Sequence, residues 1–150
     1  MLDQIGLVIV APIAWQDRLE SSSLADLATY PWIWTSQQCP YFAVAQRLFK
    51  NMDCEPIKAV ITDQEAAIRH MVAGGVGLSI MCEEEARSAM EEGQLYVFGS
   101  RIGTLDLSLL YLKKRDQDPL VKAILGSIAK AWQQKDLWIP SEMGEAEEIV

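Results

Sequence analysis

Short, nearly continuous apolar runs alternate along this chain with longer stretches whose apolar positions recur every three or four residues. That alternation predicts an α/β sheet with helices on its faces. Ile5-Gly6-Leu7-Val8-Ile9-Val10 is a β-branched run suited to a buried strand, and Pro12 ends it. Residues 16–23 form a polar connection, after which Ser23 is expected to cap a single turn, Leu24-Ala25-Asp26-Leu27. Pro31-Trp32-Ile33-Trp34-Thr35 reads as a short aromatic strand, with Trp32 and Trp34 on one face. The polar turn Ser36-Gln37-Gln38-Cys39 leads into a helix opened by Pro40, whose missing N–H costs nothing at a first helical position. Tyr41, Val44, Ala45, Leu48 and Phe49 form its apolar stripe, and it runs to about Asn51.

The second half repeats the alternation. Ile57 to Ile61 is a strand, and Thr62-Asp63-Gln64-Glu65 has the spacing of a capping box. The helix that follows places Ala67, Ile68, Met71 and Val72 inward and stops at Gly74-Gly75, where glycine tolerates a left-handed closing turn. Val76 to Met81 is a short strand. Glu83 to Glu92 is a helix with acidic residues at its positive end, closed by Gly93. Leu95 to Phe98 and Leu105 to Leu112 read as two further strands, and Pro119 opens a last helix reaching about Gln134. Residues 137–150 form an acidic tail, of which Glu142 to Glu148 is expected to fray.

Composition narrows the class. At 150 residues, half of them hydrophobic and 23% charged, the chain has the balance of one ordinary globular domain. No apolar run approaches the roughly 18 residues a spanning helix needs, so no membrane partner is expected. Met1-Leu2-Asp3-Gln4 has no basic n-region, which points to a cytoplasmic chain. A net charge of −8 without a basic stripe argues against direct nucleic-acid binding. Cys39, Cys54 and Cys82 are scattered, with one histidine in the chain, so neither a metal nor another cofactor is expected.

The candidate ligand site is the strand-to-helix turn Thr35-Ser36-Gln37-Gln38. In open α/β sheets ligands lie at the carboxyl ends of strands, where helix N–H groups point outward and suit a carboxylate. Thr62 also sits at a strand end, although the capping box engages its hydroxyl. Two other readings compete. Cys39 at a helix N-terminus could be an activated thiol of a small cysteine-dependent hydrolase, but a base must accompany it, and His70 lies mid-helix with no Cys or Asp at ligand spacing. A solute-binding protein is the other. Gly74-Gly75-Val76-Gly77 follows a helix and precedes a strand, the reverse of a phosphate loop.

The order of these phrases carries a resemblance. Ser23-Leu24-Ala25-Asp26-Leu27, then Tyr30-Pro31-Trp32-Ile33, then Met71-Val72-Ala73-Gly74-Gly75-Val76-Gly77-Leu78-Ser79-Ile80-Met81, then Glu92-Gly93-Gln94-Leu95, and finally Leu109-Leu110-Tyr111-Leu112 before Asp118-Pro119 resemble the effector-binding domain of LysR-type transcriptional regulators over residues 4–134. Cys82 stands where that family commonly has proline. The resemblance implies a periplasmic-binding-protein-like α/β lobe, with a mixed, mostly parallel sheet flanked by helices. Residues 1–136 would then be a partial effector-binding domain: the second lobe, crossover strands at about 4–11 and 105–112, and a last helix at about 119–134 made for a first lobe. The winged helix-turn-helix, linker helix and first lobe have no counterpart in the chain, so DNA would be a partner only through a domain outside it. The resemblance implies a non-catalytic ligand sensor whose small, anionic effector sits in an interlobe cleft lined by Thr35 to Gln38. Leu120, Ile124, Ile128, Trp132 and Trp138 would need a covering surface, which implies a homo-oligomer.

Overall fold

In the computed structural model, residues 2–50 and 54–131 are described. The chain divides into two compact units, one comprising residues 4–105 and the other residues 1–3 with 106–150.

The first unit is built on alternation. Strand β1, Asp3–Pro12, buries Leu7, Ile9 and Ala11 on one face and Val8 and Val10 on the other. It lies between β4, Ser79–Cys82, and β5, Leu95–Leu107, and is antiparallel to β4 with Leu7 opposite Cys82 and Val10 opposite Ser79. β2, Pro31–Trp34, runs parallel to β3, Ile57–Ile61. An isolated parallel bridge from Trp32 to Leu78 joins β2 to the approach to β4, extending the row to β3-β2-β4-β1-β5. The sheet is therefore mixed, as expected for this α/β class.

Each face has its own core because a two-residue period sends neighbours to opposite sides. Trp32, Trp34, Leu78 and Ile80 pack with Val44, Ala45 and Phe49 of helix α2, Pro40–Lys50. Ile33 and Met81 pack against Ile68 and Val72 of α3, Glu65–Ala73, and Ala86 and Ala89 of α4, Glu83–Glu91. An earlier helical turn, α1, Gln16–Leu19, occupies the expected polar connection and buries Leu19 completely.

The carboxyl ends of α3 and α4 follow their sequence signals. At the end of α3, Gly75 has φ +84°, the Gly75 N–H donates to Val72 O and the Val76 N–H to Met71 O, both at 3.0 Å. This is a Schellman closure, and it needs a residue free of a Cβ penalty at positive φ. α4 closes in the same way through Gly93.

Two expectations are corrected. The Thr62–Glu65 capping box does not form: α3 has no side-chain cap, and the Glu65 carboxylate turns to Tyr41 and Cys82 instead. The reciprocal pattern forms at Ser23 and Asp26, where the Ser23 N–H and hydroxyl both donate to Asp26 Oδ2 at 2.7 Å and the Asp26 N–H donates back to Ser23 Oγ at 3.3 Å. The strands expected at 95–98 and 105–112 are a single strand ending at Leu107, because Ile102 and Leu105 find a core to pack on whereas Leu110 is 90% exposed.

In the second unit, the Leu2 N–H donates to Leu107 O at 2.6 Å, and helix α5, Pro119–Ala131, follows a single turn at Lys113–Arg115. Residues 132–134 of the expected last helix, Trp132, Trp138 and the acidic tail lie outside the described residues.

Candidate functional site

Connectivity creates the site. From β2 the chain passes over one face through α2 to β3, then over the opposite face through α3 to β4 on the far side of β2. Adjacent parallel strands whose following helices lie on opposite faces leave a crevice at their carboxyl ends, which is where α/β sheets hold ligands. The turns that open there are Thr35–Cys39 and Thr62–Gln64.

The two turns are tied together by charge. The Ser36 N–H donates to Asp63 Oδ1 at 2.7 Å and its hydroxyl to Asp63 Oδ2 at 2.6 Å, while the Thr62 N–H donates to Trp34 O at 2.9 Å. The Ser36 hydroxyl, and then its N–H, hold the Asp63 carboxyl below the usual carboxylate range. The first turn therefore binds a carboxylate through one main-chain and one side-chain donor, and the protein supplies that carboxylate itself.

Behind the turn, Tyr41 Oη donates to Glu65 Oε1 at 3.3 Å, and the Cys82 N–H donates to the same oxygen at 3.4 Å. Burial, with the Glu65 charge in second place, pushes the Tyr41 phenol well above its ordinary value. Tyr41 accordingly stays a neutral donor at physiological pH.

All five candidate residues meet at this end of the sheet. Thr35 is buried, Ser36 and Thr62 are half-buried, and Gln37 and Gln38 are exposed. The recess beside Thr35, Tyr41 and Ser79 holds only about 10 Å³, and the Gln37 and Gln38 side chains are exposed at this side of the sheet. Thr62 Oγ1 accepts from the Gln64 N–H at 3.4 Å, a long contact that leaves its hydroxyl largely uncommitted. The residues that sequence reasoning missed are Asp63, Tyr41, Glu65 and Ser79. Helical spacing puts Tyr41 on the apolar stripe and gives no sign of its polar role, whereas Asp63 is signalled by its position at a strand end beside Thr62.

The thiol reading finds no supporting geometry. Among the described residues no hydrogen bond joins Cys39 to a base, and His70 Nδ1 lies 2.6 Å from the carbonyl of Ala66 in its own helix. No group of three or more His, Cys, Asp or Glu side chains suited to a metal ion is present among the described residues. No described helix is long and apolar enough to cross a membrane.

The family model described as LysR substrate binding domain matches residues 3–133. Among solved structures, the chain is similar to the effector binding domain of QuiR in complex with shikimate, with a TM-score of 0.63, 19% identity and coverage of 89% of this chain and 64% of that one. It is also similar to the CcmR regulatory domain of Synechocystis PCC6803 in complex with 2-PG, at TM-score 0.65, 15% identity, 88% of this chain and 65% of that one. The regulatory domain of HypT from Salmonella typhimurium in its apo-form matches at TM-score 0.63, 12% identity, 88% of this chain and 63% of that one. No curated protein matches significantly. The likeness is one of fold, and the chain spans less than two thirds of the length of these three structures.

Proposed function

Because the chain belongs to the LysR substrate binding domain family, we propose that it is the ligand-sensing part of a LysR-type regulator. It supplies one wall of a cleft for a small anionic effector and catalyses no reaction. The observation that carries this reading is the carboxylate of Asp63 held by the Ser36 N–H and hydroxyl: the turn already shows the chemistry it would offer an effector. Thr35, Ser36, Gln37, Gln38 and Thr62 are its contact residues. Residues 1–136 form the second lobe with return elements, β1 and the stretch near 105–112 being crossovers. DNA is reached through a separate domain, in the cytoplasm. An effector acts by binding the open and closed arrangements of two lobes with different affinities.

Shikimate and 2-PG, carried by two structural relatives, are the first probes, followed by a panel of small organic acids, with binding read by calorimetry. For the acid that binds, Ser36→Ala weakens affinity about tenfold by removing one charge-assisted donor. Asp63→Asn strengthens it, because the internal competitor is gone. The reading is lost if both variants bind the acid as the parent chain does, or if no acid in the panel binds.

The partner expectation rests on the second unit. Leu110, Leu112, Leu120 and Ile124 leave apolar surface open, at 90%, 61%, 61% and 46% exposed. A second copy would bury it. Sedimentation equilibrium is expected to show a mass that rises with concentration to a dimer or beyond, and a constant monomer mass would remove the homo-oligomer from the proposal.

A further inference from the structure

The strand order β3-β2-β4 sets the turn after β2 between the ends of β3 and β4, with neighbouring strands about 4.8 Å apart. A carboxylate stands on either side of that turn. Asp63, just beyond β3, accepts from the Ser36 N–H at 2.7 Å and from its hydroxyl at 2.6 Å. Glu65 leans the other way, and its Oε1 accepts from Tyr41 Oη at 3.3 Å and from the Cys82 N–H, at the end of β4, at 3.4 Å.

Three features of this end of the sheet are not used by the fold. Both bonds to Glu65 fall on Oε1 and are long, and its Oε2 makes none among the described residues, so a half-buried anion keeps one oxygen open. Thr35 is 7% exposed, and its hydroxyl makes no hydrogen bond among the described residues. Trp34 Nε1 is the one fully buried side-chain nitrogen or oxygen there without a partner, so the Thr35 oxygen is open to solvent at the strand end. Lastly, the segments that end the three strands, residues 35–41, 62–66 and 79–82, contain no lysine or arginine. Arg87 and Arg101 are both engaged by Glu83, at 2.7 and 2.6 Å.

A simple carboxylate entering the Ser36 donors displaces Asp63 and then lies beside it. Glu65 follows two residues on, and no lysine or arginine on these turns separates the like charges. A ligand that brings its own cation avoids that repulsion. We infer that this wall is built for a zwitterion of the α-amino acid class, whose carboxylate takes the Ser36 N–H and hydroxyl while its ammonium lies between the displaced Asp63 and the open oxygen of Glu65. An ammonium has three donors and no lone pair, and the Thr35 hydroxyl supplies the third acceptor. Both charged groups of an α-amino acid sit on one carbon, which suits a donor turn with a carboxylate on each side. The inference rests on the effector reading and narrows it: the anionic group of the effector is one half of a neutral pair.

The test uses the 150-residue chain, ¹⁵N-labelled, with L-serine as probe. L-glycerate, in which a hydroxyl replaces the ammonium, and ethanolamine, which lacks the carboxylate, are the single-feature controls. The expected result is a saturable shift of the Ser36 and Asp63 amides, with L-serine bound about tenfold more tightly than L-glycerate and ethanolamine weaker than L-serine. The double variant D63N/E65Q keeps amide oxygens where Tyr41 and Cys82 donate, and it brings L-serine and L-glycerate to parity. That ratio separates recognition of the ammonium from a structural role, which would move both ligands alike. E91Q, an exposed carboxylate on α4, leaves the ratio unchanged. Absence of a saturable shift with L-serine, L-glycerate bound as tightly as L-serine, or a preference that survives D63N/E65Q would overturn the inference. Shikimate, 2-PG or L-glycerate binding at Ser36 without a preference for L-serine removes the zwitterion and leaves the effector reading standing.

Discussion

Trp32→Ala is expected to lower the unfolding free energy by about 3–5 kcal/mol, the range for truncating a large buried aromatic. Trp32 is 1% exposed at the centre of the first core, edge-on to Phe49 at 4.9 Å and to Trp34 at 6.2 Å. Its Nε1 donates to Leu27 O at 2.8 Å, tying β2 to the preceding 3-10 turn, Asp26–Thr29. Alanine would remove the packing of both rings and leave the Leu27 carbonyl with the longer bond from the Tyr30 N–H, at 3.2 Å. Trp32→Phe separates these effects, because phenylalanine restores most of the ring and none of the hydrogen bond. It should cost about 1–2 kcal/mol, the share belonging to the donor. Urea unfolding followed by far-UV circular dichroism measures both. A loss below about 1 kcal/mol for the alanine variant would mean that this core is not what holds β2 in place. Since ordinary domains have only about 5–15 kcal/mol in total, the alanine variant should unfold at a clearly lower urea concentration than the parent chain.

Gly77→Ala is the second large effect, and it acts without touching any side chain. A Cβ at Gly77 would collide with the Pro31 carbonyl oxygen and come within 2.9 Å of its carbon. These are backbone atoms between two strands, so no flexible group can swing away. The same few residues carry the junction of β2 and β4: the Leu78 N–H donates to Pro31 O at 2.9 Å, the Ile33 N–H to Leu78 O at 2.8 Å, and the Ser79 hydroxyl to Ile33 O at 2.9 Å. Overpacking together with strain on these bonds predicts a loss of about 2–4 kcal/mol. Gly126→Ala is the control, because a Cβ there meets nothing within 4 Å and mid-helix alanine should stabilise α5 by about 0.5–1 kcal/mol. An equal response at both positions would show that close approach at Gly77 is not the cause. The consequence reaches the site, since β2 carries Thr35 and Ser36 and loses its register to β4 when the junction opens.

Local chemistry was readable wherever a single segment held all the information. The stripe of α2, the alternation along β1 and the glycine closures of α3 and α4 each depend on residues within one or two turns. The turn at Thr35 to Gln38 was legible for the same reason, as a polar break between an apolar strand and a proline-opened helix. The capping box at Thr62 failed because Glu65 had a second choice that no local pattern reveals. Tyr41 comes from 24 residues upstream and Cys82 from 17 downstream, and their donors took the carboxylate. The strand expected at 105–112 failed in a similar way. Its alternating leucines fit a pleat, but period two yields a strand only where a sheet offers a face, and Leu110 has none.

By itself, then, the amino-acid order determined most of the strands and helices, the glycine closures of α3 and α4, and a polar turn between an apolar strand and a helix. It also carried the family, through phrases spaced along most of the chain. Only the tertiary structure decided that β2 and β3 lie side by side with their helices on opposite faces, which brings Ser36 to Asp63 across 27 residues. The same packing left Trp34 Nε1 buried without a hydrogen-bond partner among the described residues. The physical reason is range. Hydrogen bonds within a turn and apolar periodicity are set by neighbours in the chain. Which carboxylate a donor meets, and which donor meets none, is settled by burying two faces of one sheet at once.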